Sequence, residues 1–512
     1  VLLAVSLVLL LAAVACSGDD DAASTSDDST PGSGVDEEAE PLAADFEPGV
    51  VGEVTIAPPT NEGSGSTILS ASSLDLEPLG YEQEELFLSG TASSYEADGE
   101  LGEDGEWTAS PDAEADFTTR VVVRRPSDPA DFNGNVIVEW LNVSGGLDAD
   151  PDWVYSHVEL IREGWAWIGV SAQQRGITGG DGGPGAILAL QPADPARYGE
   201  LSHPGDEFSY DMFSQVGAAV RTQPAALLGD LEPEHVLAIG ESQSAFRLTT
   251  YVNAIAPLTN VYDGYLVHSR NDGAADLNAT TEAPSPTYFR TDLDVPILVF
   301  SSENDLVVLG YANARQDDTD LIRGWEVPGT AHADSYNLGI GDTDDGSGIG
   351  DDALFASMLE PPDSVYGGVI SCDLPINTGP HTYVLRAAVH ALGEWVRTGE
   401  APPSMPRVEM ADDVSDVVLD ADGNADGGIR TPHVDAPVAV LSGQGQADEG
   451  FCRLFGTTEP FDAATLAEAY PDHEAFTAAW GESLDAAVEA GAILEPDAEQ
   501  LRRVAAESTI GG

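Results

Sequence analysis

Between residues 118 and 398 the chain alternates two kinds of segment, and this alternation limits its fold more than any other feature. Short runs rich in β-branched and aromatic residues occur at 118–124 (TTRVVVR), 135–141 (NVIVEWL), 165–171, 235–239, 265–268, 296–300 and 323–327. Such runs favour strands. Between them lie stretches with apolar residues three and four apart. In 152–163, Trp153, Val154, His157, Val158 and Ile161 share one helical face, and Gly164 ends it. Further helices are predicted within 208–228, with Pro224 as an irregularity, at 244–254, and at 382–398, where Gly399 and then Pro402-Pro403 form the stop. Strands alternating with helices imply an α/β fold, a mainly parallel sheet with helices on both faces. Stretches 52–56 and 85–88, together with 118–124 and 135–141, read as opening antiparallel strands. With 512 residues, 42% of them hydrophobic, the chain has ample material for such a core.

One strand-to-helix junction carries chemistry. In HVLAIGESQSAFR (235–247) an apolar strand runs into Gly240-Glu241-Ser242-Gln243-Ser244 and then a helix. A nucleophilic serine held on a sharp turn needs small residues two positions away on each side. Gly240 meets that need, and Ser244 stands where a second glycine is usual. The helix that follows aims its first amides at the site, which favours a developing oxyanion. Ser242 is therefore the candidate nucleophile.

A hydroxyl nucleophile needs a base, and the base needs a carboxylate to orient it. The strand in VPILVFSSEND (295–305) ends just before two acids, so Asp305 is the expected acid and Glu303 the alternative. The next strand leads into PGTAH (328–332), which makes His332 the expected base. Ligands of open α/β sheets gather at this carboxyl end of the strands. For the oxyanion, the expected donors are the amide of Gln243 and one from Val143, Ser144 or Gly145 in the glycine-containing loop after 135–141. Residues 173–176 and 197–211 are further candidates for lining a pocket. His203, His381 and His433 are candidates for touching substrate, although histidines at such positions are more often structural. The triad calls for no cofactor, and none is expected.

With these residues placed, the chain resembles the bacterial "alpha/beta hydrolase domain" family. The resemblance is carried by NVIVEWLNVSGG (135–146), LSHPGDEFSYDMFSQ (201–215), IGESQSA (239–245), VPILVFSSEND (295–305), PGTAH (328–332) and GGIRTPHVDAPVA (427–439). It spans roughly 50 to 510 and implies an α/β-hydrolase fold and a serine hydrolase of small-molecule carboxylic esters working through an acyl-enzyme. Two other readings stay open: a non-catalytic envelope binding protein on the same fold, and a serine peptidase.

The ends of the chain point to export. Residues 1–15 are a continuous apolar run, too short to span a bilayer alone, and Cys16 follows Ala13-Val14-Ala15. This resembles the lipobox of bacterial lipoproteins and implies lipidation at Cys16, hence a membrane link through that anchor. A plain secretory signal is the alternative. Residues 17–48, rich in Asp, Glu, Ser, Ala and Gly, read as a disordered acidic tether. The catalytic domain is expected at 49–404 and a C-terminal extension packed on it at 405–512. In an oxidising compartment the two remaining cysteines, Cys372 and Cys452, are expected to pair.

Charge excludes one class of partner. Ninety acidic residues face 19 basic ones, all arginine, for a net charge of −71. Such a surface repels nucleic acid. Residues 420–427 (DADGNADG) have the alternating oxygens of a calcium loop, but Thr431 stands where that loop needs glutamate, and a tight turn explains the pattern equally well. No metal is expected.

Overall fold

The strand-rich segments pair into one nine-stranded sheet. The computed structural model describes residues 49, 51–70, 74–180, 184–447 and 450–512. The apolar run, Cys16 and the tether at 17–48 lie outside the described residues. The strands are β1 (Thr55–Ala57), β2 (Tyr81–Ala97), β3 (Ala109–Pro126), β4 (Asn135–Trp140), β5 (Ala166–Val170), β6 (His235–Glu241), β7 (Gly264–His268), β8 (Ile297–Ser302) and β9 (Ile322–Val327). Their order across the sheet is β1-β2-β3-β5-β4-β6-β7-β8-β9. The first three pair antiparallel with one another, and β3 pairs antiparallel with β5. From β5 to β9 every pairing is parallel.

Two strand expectations need correction. The 135–141 segment is not an opening antiparallel strand: β4 lies between β5 and β6, parallel to both. All six of its residues are buried, which suits the middle of a sheet covered on both faces. Strands β2 and β3 are longer than the sequence suggests, at 17 and 18 residues. Their outer halves are polar and lack clean alternation, so pairing with each other, not propensity, keeps them extended. Asp211 supports that ribbon by accepting from the Ser93 amide at 2.7 Å and the Tyr95 hydroxyl at 3.2 Å.

Successive residues of the parallel strands face opposite sides. Val136, Val138, Val236 and Ala238 join one core with Met212, Val216 and Val220 of helix Ser209–Thr222 and with Leu248. Ile137, Leu237 and Ile239 join the other with Leu160 and with Val384, Ala388, Leu392 and Trp395 of helix His381–Thr398. Gly399, at φ 77°, ends that helix by donating its amide to Trp395 O. The helix predicted within 208–228 stops at Thr222, and Pro224 opens a separate turn.

The segment after residue 405 covers the second face. Phe476, Trp480 and Leu484 of helix His473–Glu489 belong to the same core as Ile137 and Leu392. Within this segment the calcium-like stretch is a turn in which Asp420 accepts from the Asp422 and Asn424 amides and pairs with Arg430 at 2.8 Å. Cys372 and Cys452 are joined in a disulfide across 80 residues.

Candidate active site

Ser242 is the single residue between β6 and helix Gln243–Thr250. Its backbone sits at φ 59°, ψ −117°, a region that costs a non-glycine residue about 1–3 kcal/mol. The turn is tight enough that a side chain on Gly240 would come within 3.1 Å of Ser244 Cβ. A serine at 244 is thus accommodated because position 240 has no side chain. Ser242 donates its amide to His268 O at the end of β7, 2.9 Å away.

The loops after β8 and β9 bring the other two groups to this turn. His332 Nε2 lies 2.7 Å from Ser242 Oγ, and His332 Nδ1 lies 2.6 Å from Asp305 Oδ1. With Nδ1 donating to the carboxylate, Nε2 is left to accept the serine proton. Asp305 Oδ2 accepts from the Ser302 amide at 2.7 Å, and the Ser302 hydroxyl accepts from the Asp305 amide at 3.3 Å. This capping box fixes the carboxylate at the start of the short helix Glu303–Val307. Burial alone raises the Asp305 carboxyl, but His332 and its hydrogen bonds outweigh that and hold it below the usual range.

Glu303, the alternative acid, does not reach His332. Its carboxylate accepts from the amides of Gly329 (2.8 Å) and Gly443 (2.9 Å) and from the Ser442 hydroxyl (3.0 Å). It ties the β9 loop to the chain beyond 440. Burial pushes its carboxyl up to about 7.

Sequence reasoning missed one group. Glu241 Oε1 lies 3.1 Å from His332 Nε2, the same nitrogen that meets Ser242. Asn142 Nδ2 donates to Glu241 Oε2 at 3.0 Å. Burial raises the Glu241 carboxyl to about 8 despite the attraction of His332. Burial in turn lowers the imidazole, but Glu241 and Asp305 together leave His332 above its ordinary value. The only sequence signal was an acid beside the nucleophile in a turn, a place usually exposed.

The 142–146 loop faces the same space. Ser144 donates its amide to Asn142 Oδ1 at 2.8 Å, and Gly146 donates to Val143 O at 2.9 Å. The amides of Val143 and Gly145 have no protein acceptor among the described residues. Val143 is buried, whereas Gly145 lines a cavity of about 160 Å³ together with Asn142, Ser144, Glu241, Ser242 and His332. Across from them the wall is apolar, built by Leu338, Tyr366, Ile370, Phe451, Leu454 and Phe455.

The remaining candidates lie elsewhere. His203 Nε2 meets Ala172 O at 2.9 Å. His433 is buried against Tyr383 and Trp480. His381 is buried against His268. None of the three lines the cavity, and neither do residues 173–176 or 197–211. The loop at 173 turns inward instead, where Trp140 Nε1 donates to Gln173 Oε1 at 3.2 Å.

A family model described as "Alpha/beta hydrolase domain" matches residues 56–503. No curated protein matches the sequence. Among solved structures, the chain is similar to an α/β serine hydrolase without lid from Xanthomonas campestris, at 14% identity and a TM-score of 0.26, covering 47% of this chain and 86% of that one. It is also similar to a fungal esterase from Rhizomucor miehei, at 11% identity and a TM-score of 0.24 over 50% and 81% of the two chains. A thermostable esterase from Pseudomonas putida follows at 12% identity and a TM-score of 0.25, over 50% and 75%.

Proposed function

The chain belongs to the Alpha/beta hydrolase domain family, and on that premise we propose that it is a serine hydrolase of small-molecule carboxylic esters. The observation that carries the proposal is the hydrogen-bonded row Ser242–His332–Asp305 opening on a cavity beside Gly145. Ser242 Oγ attacks the acyl carbon as its proton passes to His332 Nε2. Asp305 holds the ring in the tautomer that can accept it and stabilises the imidazolium. The amides of Gln243 and Gly145 take the oxyanion; the first amides of a helix have no acceptor within it. His332 then returns the proton to the leaving alkoxide. Water deacylates the serine by the same route in reverse.

Each part has an expected weight. General-base action contributes about 10²–10⁴-fold, and one oxyanion donor about 10²–10³-fold. The test is hydrolysis of nitrophenyl acetate together with labelling by a fluorophosphonate. Ser242→Ala is expected to abolish both, and labelling or turnover that survives in the variant refutes the proposal. An ester-against-amide comparison separates this reading from a peptidase.

We also propose that the enzyme lies outside the reducing cytoplasm, anchored through Cys16. The Cys372–Cys452 disulfide and the apolar run before Cys16 support it. Fractionation of expressing cells tests it, and recovery of the protein in the cytosol with both thiols reduced speaks against it.

A further inference from the structure

The apolar side of the cavity is assembled from two segments far apart in sequence. Tyr366 and Ile370 come from a short hairpin, Ser364–Val365 with Ile370–Ser371. Phe451, Leu454 and Phe455 come from the turn around 451–455. Cys372 and Cys452 join the two segments covalently. Backbone bonds fasten the second segment beside His332: Ala333 donates to Leu454 O at 3.1 Å and Asn377 to Phe455 O at 2.9 Å. Leu338, Val365, Ile376 and Phe455 form a buried cluster of their own, distinct from the two sheet cores, with Ile370, Phe451, Leu454 and both cysteines packed on it.

A small core of this kind, built at the nucleophile's edge and stapled there, offers an apolar surface to whatever Ser242 attacks. Its capacity is limited. The cavity of about 160 Å³ is close to the roughly 150 Å³ that holds one benzene in an apolar protein cavity. A second cavity of about 170 Å³ adjoins it, lined by Leu69, Val154 and Asp342 and sharing Ser70, Ala149, Pro151, Asn337 and Tyr366 with the first. Among the shared residues Tyr366 has the largest side chain. Its backbone is at φ 51°, in the region that favours glycine, so a tyrosine is kept here at a conformational cost.

We propose that the wall formed by Leu338, Ile370, Phe451, Leu454 and Phe455 is the subsite for an apolar group of the ester, and that Tyr366 sets the length it admits by closing off the neighbouring cavity. The subsite takes a single ring or an unbranched chain of about six carbons or fewer. This rests on the serine-hydrolase reading of the same pocket.

The experiment measures kcat/KM for two ester series on the full chain, one varying the acyl group on nitrophenol and one varying the alcohol of acetates. Active sites are counted by fluorophosphonate titration, so misfolded protein does not enter the rates. In one series the wild type is expected to peak at about six carbons or fewer and to fall about tenfold or more by ten. Tyr366→Gly, which its backbone angle tolerates, is expected to raise the ratio of long-chain to short-chain kcat/KM about tenfold. Phe451→Ala, which enlarges the same wall, is expected to raise that ratio by a smaller factor. A flat profile in both series overturns the subsite, as does a ratio that Tyr366→Gly leaves unchanged. Ser242→Ala separates the two ideas. Hydrolysis that survives in that variant sinks the serine-hydrolase reading, whereas a dead Ser242→Ala beside a flat wild-type profile sinks the subsite alone.

Discussion

Two rows of carboxylate and imidazole lie side by side at the carboxyl end of this sheet. In the first, Asp305 meets His332 Nδ1 and His332 Nε2 meets the Ser242 hydroxyl. In the second, Asp152 meets His268 Nδ1 at 2.7 Å, but His268 Nε2 meets His381 Nε2, also at 2.7 Å. His381 Nδ1 ends that row on Ala331 O at 2.9 Å. Proton counting separates them. The second row has three contacts, each needing one proton, and its far end is a carbonyl that can only accept. His381 must therefore donate through Nδ1 and His268 through Nε2. Two neutral rings supply two protons, so the third lies between Asp152 and His268 and the row is neutral overall. Burial agrees, raising Asp152 well above its ordinary value and lowering His268 to about 3. The same residue types make the base we propose where the last nitrogen meets a hydroxyl at a cavity, and a strut where it meets another ring in a sealed interior. The strut still matters to the site. His268 O receives the Ser242 amide, and Ala331 O belongs to the residue before His332.

The comparison breaks most visibly at the first row. Asp305→Asn is expected to lower kcat about 10⁴-fold with fluorophosphonate labelling slowed in step, because the amide favours the wrong imidazole tautomer. An effect below tenfold removes Asp305 from its role. In the second row His268→Phe strands the Asp152 carboxyl and His381 Nε2. It is expected to cost about 2–4 kcal/mol of stability, read as a lowered urea midpoint.

Glu303→Gln probes the neighbouring acid that misses the imidazole. Its carboxyl, raised by burial to about 7, favours the fold while protonated. That contribution is complete below the ordinary carboxyl range and fades as pH rises through about 7. The variant is expected to flatten the fall in Tm between about pH 5 and 7 while kcat/KM stays within about threefold. Glu241→Gln removes the acid whose ionised form holds the proton on His332 Nε2, and so lowers the imidazole's pKa. The acid limb of kcat/KM, where His332 must lose its proton to act as base, is expected to move to lower pH. A shift the other way contradicts the contact. The smallest effect is expected from Asp152→Asn. Its amide can still donate to His268 Nδ1 and the row stays neutral, so the pH–rate profile should not move. A displaced profile would show that the row carries charge.

Much of this site is written locally. The strand, sharp turn and helix around Ser242 follow from HVLAI, Gly240 and a helical spacing within a dozen residues, and local chemistry of that sort survives any tertiary setting. Two acids past β8 and a histidine past β9 are legible for the same reason. Choosing between the acids is a different matter, because Glu303 and Asp305 are two positions apart at the start of one short helix and point in different directions. The capping box with Ser302 turns Asp305 toward His332, while Gly329, Ser442 and Gly443 claim Glu303. One of the three donors to Glu303 comes from the loop after β9 and two from beyond residue 440, so nothing near 303 in sequence announces them.

By itself the sequence determined the α/β class, the turn that carries Ser242 and the chain order of serine, acid and histidine. Each depends on periodicity or on a few adjacent residues. Only the tertiary structure decided that β4 lies at the centre of the sheet, that Glu241 shares His332 with Ser242, that Asp152 and two histidines form a closed row behind it, and that the apolar wall joins 366–370 to 451–455. Those arrangements depend on which distant segments return to the same place. Burial then sets which hydrogen bonds must be satisfied and which carboxyls keep their protons.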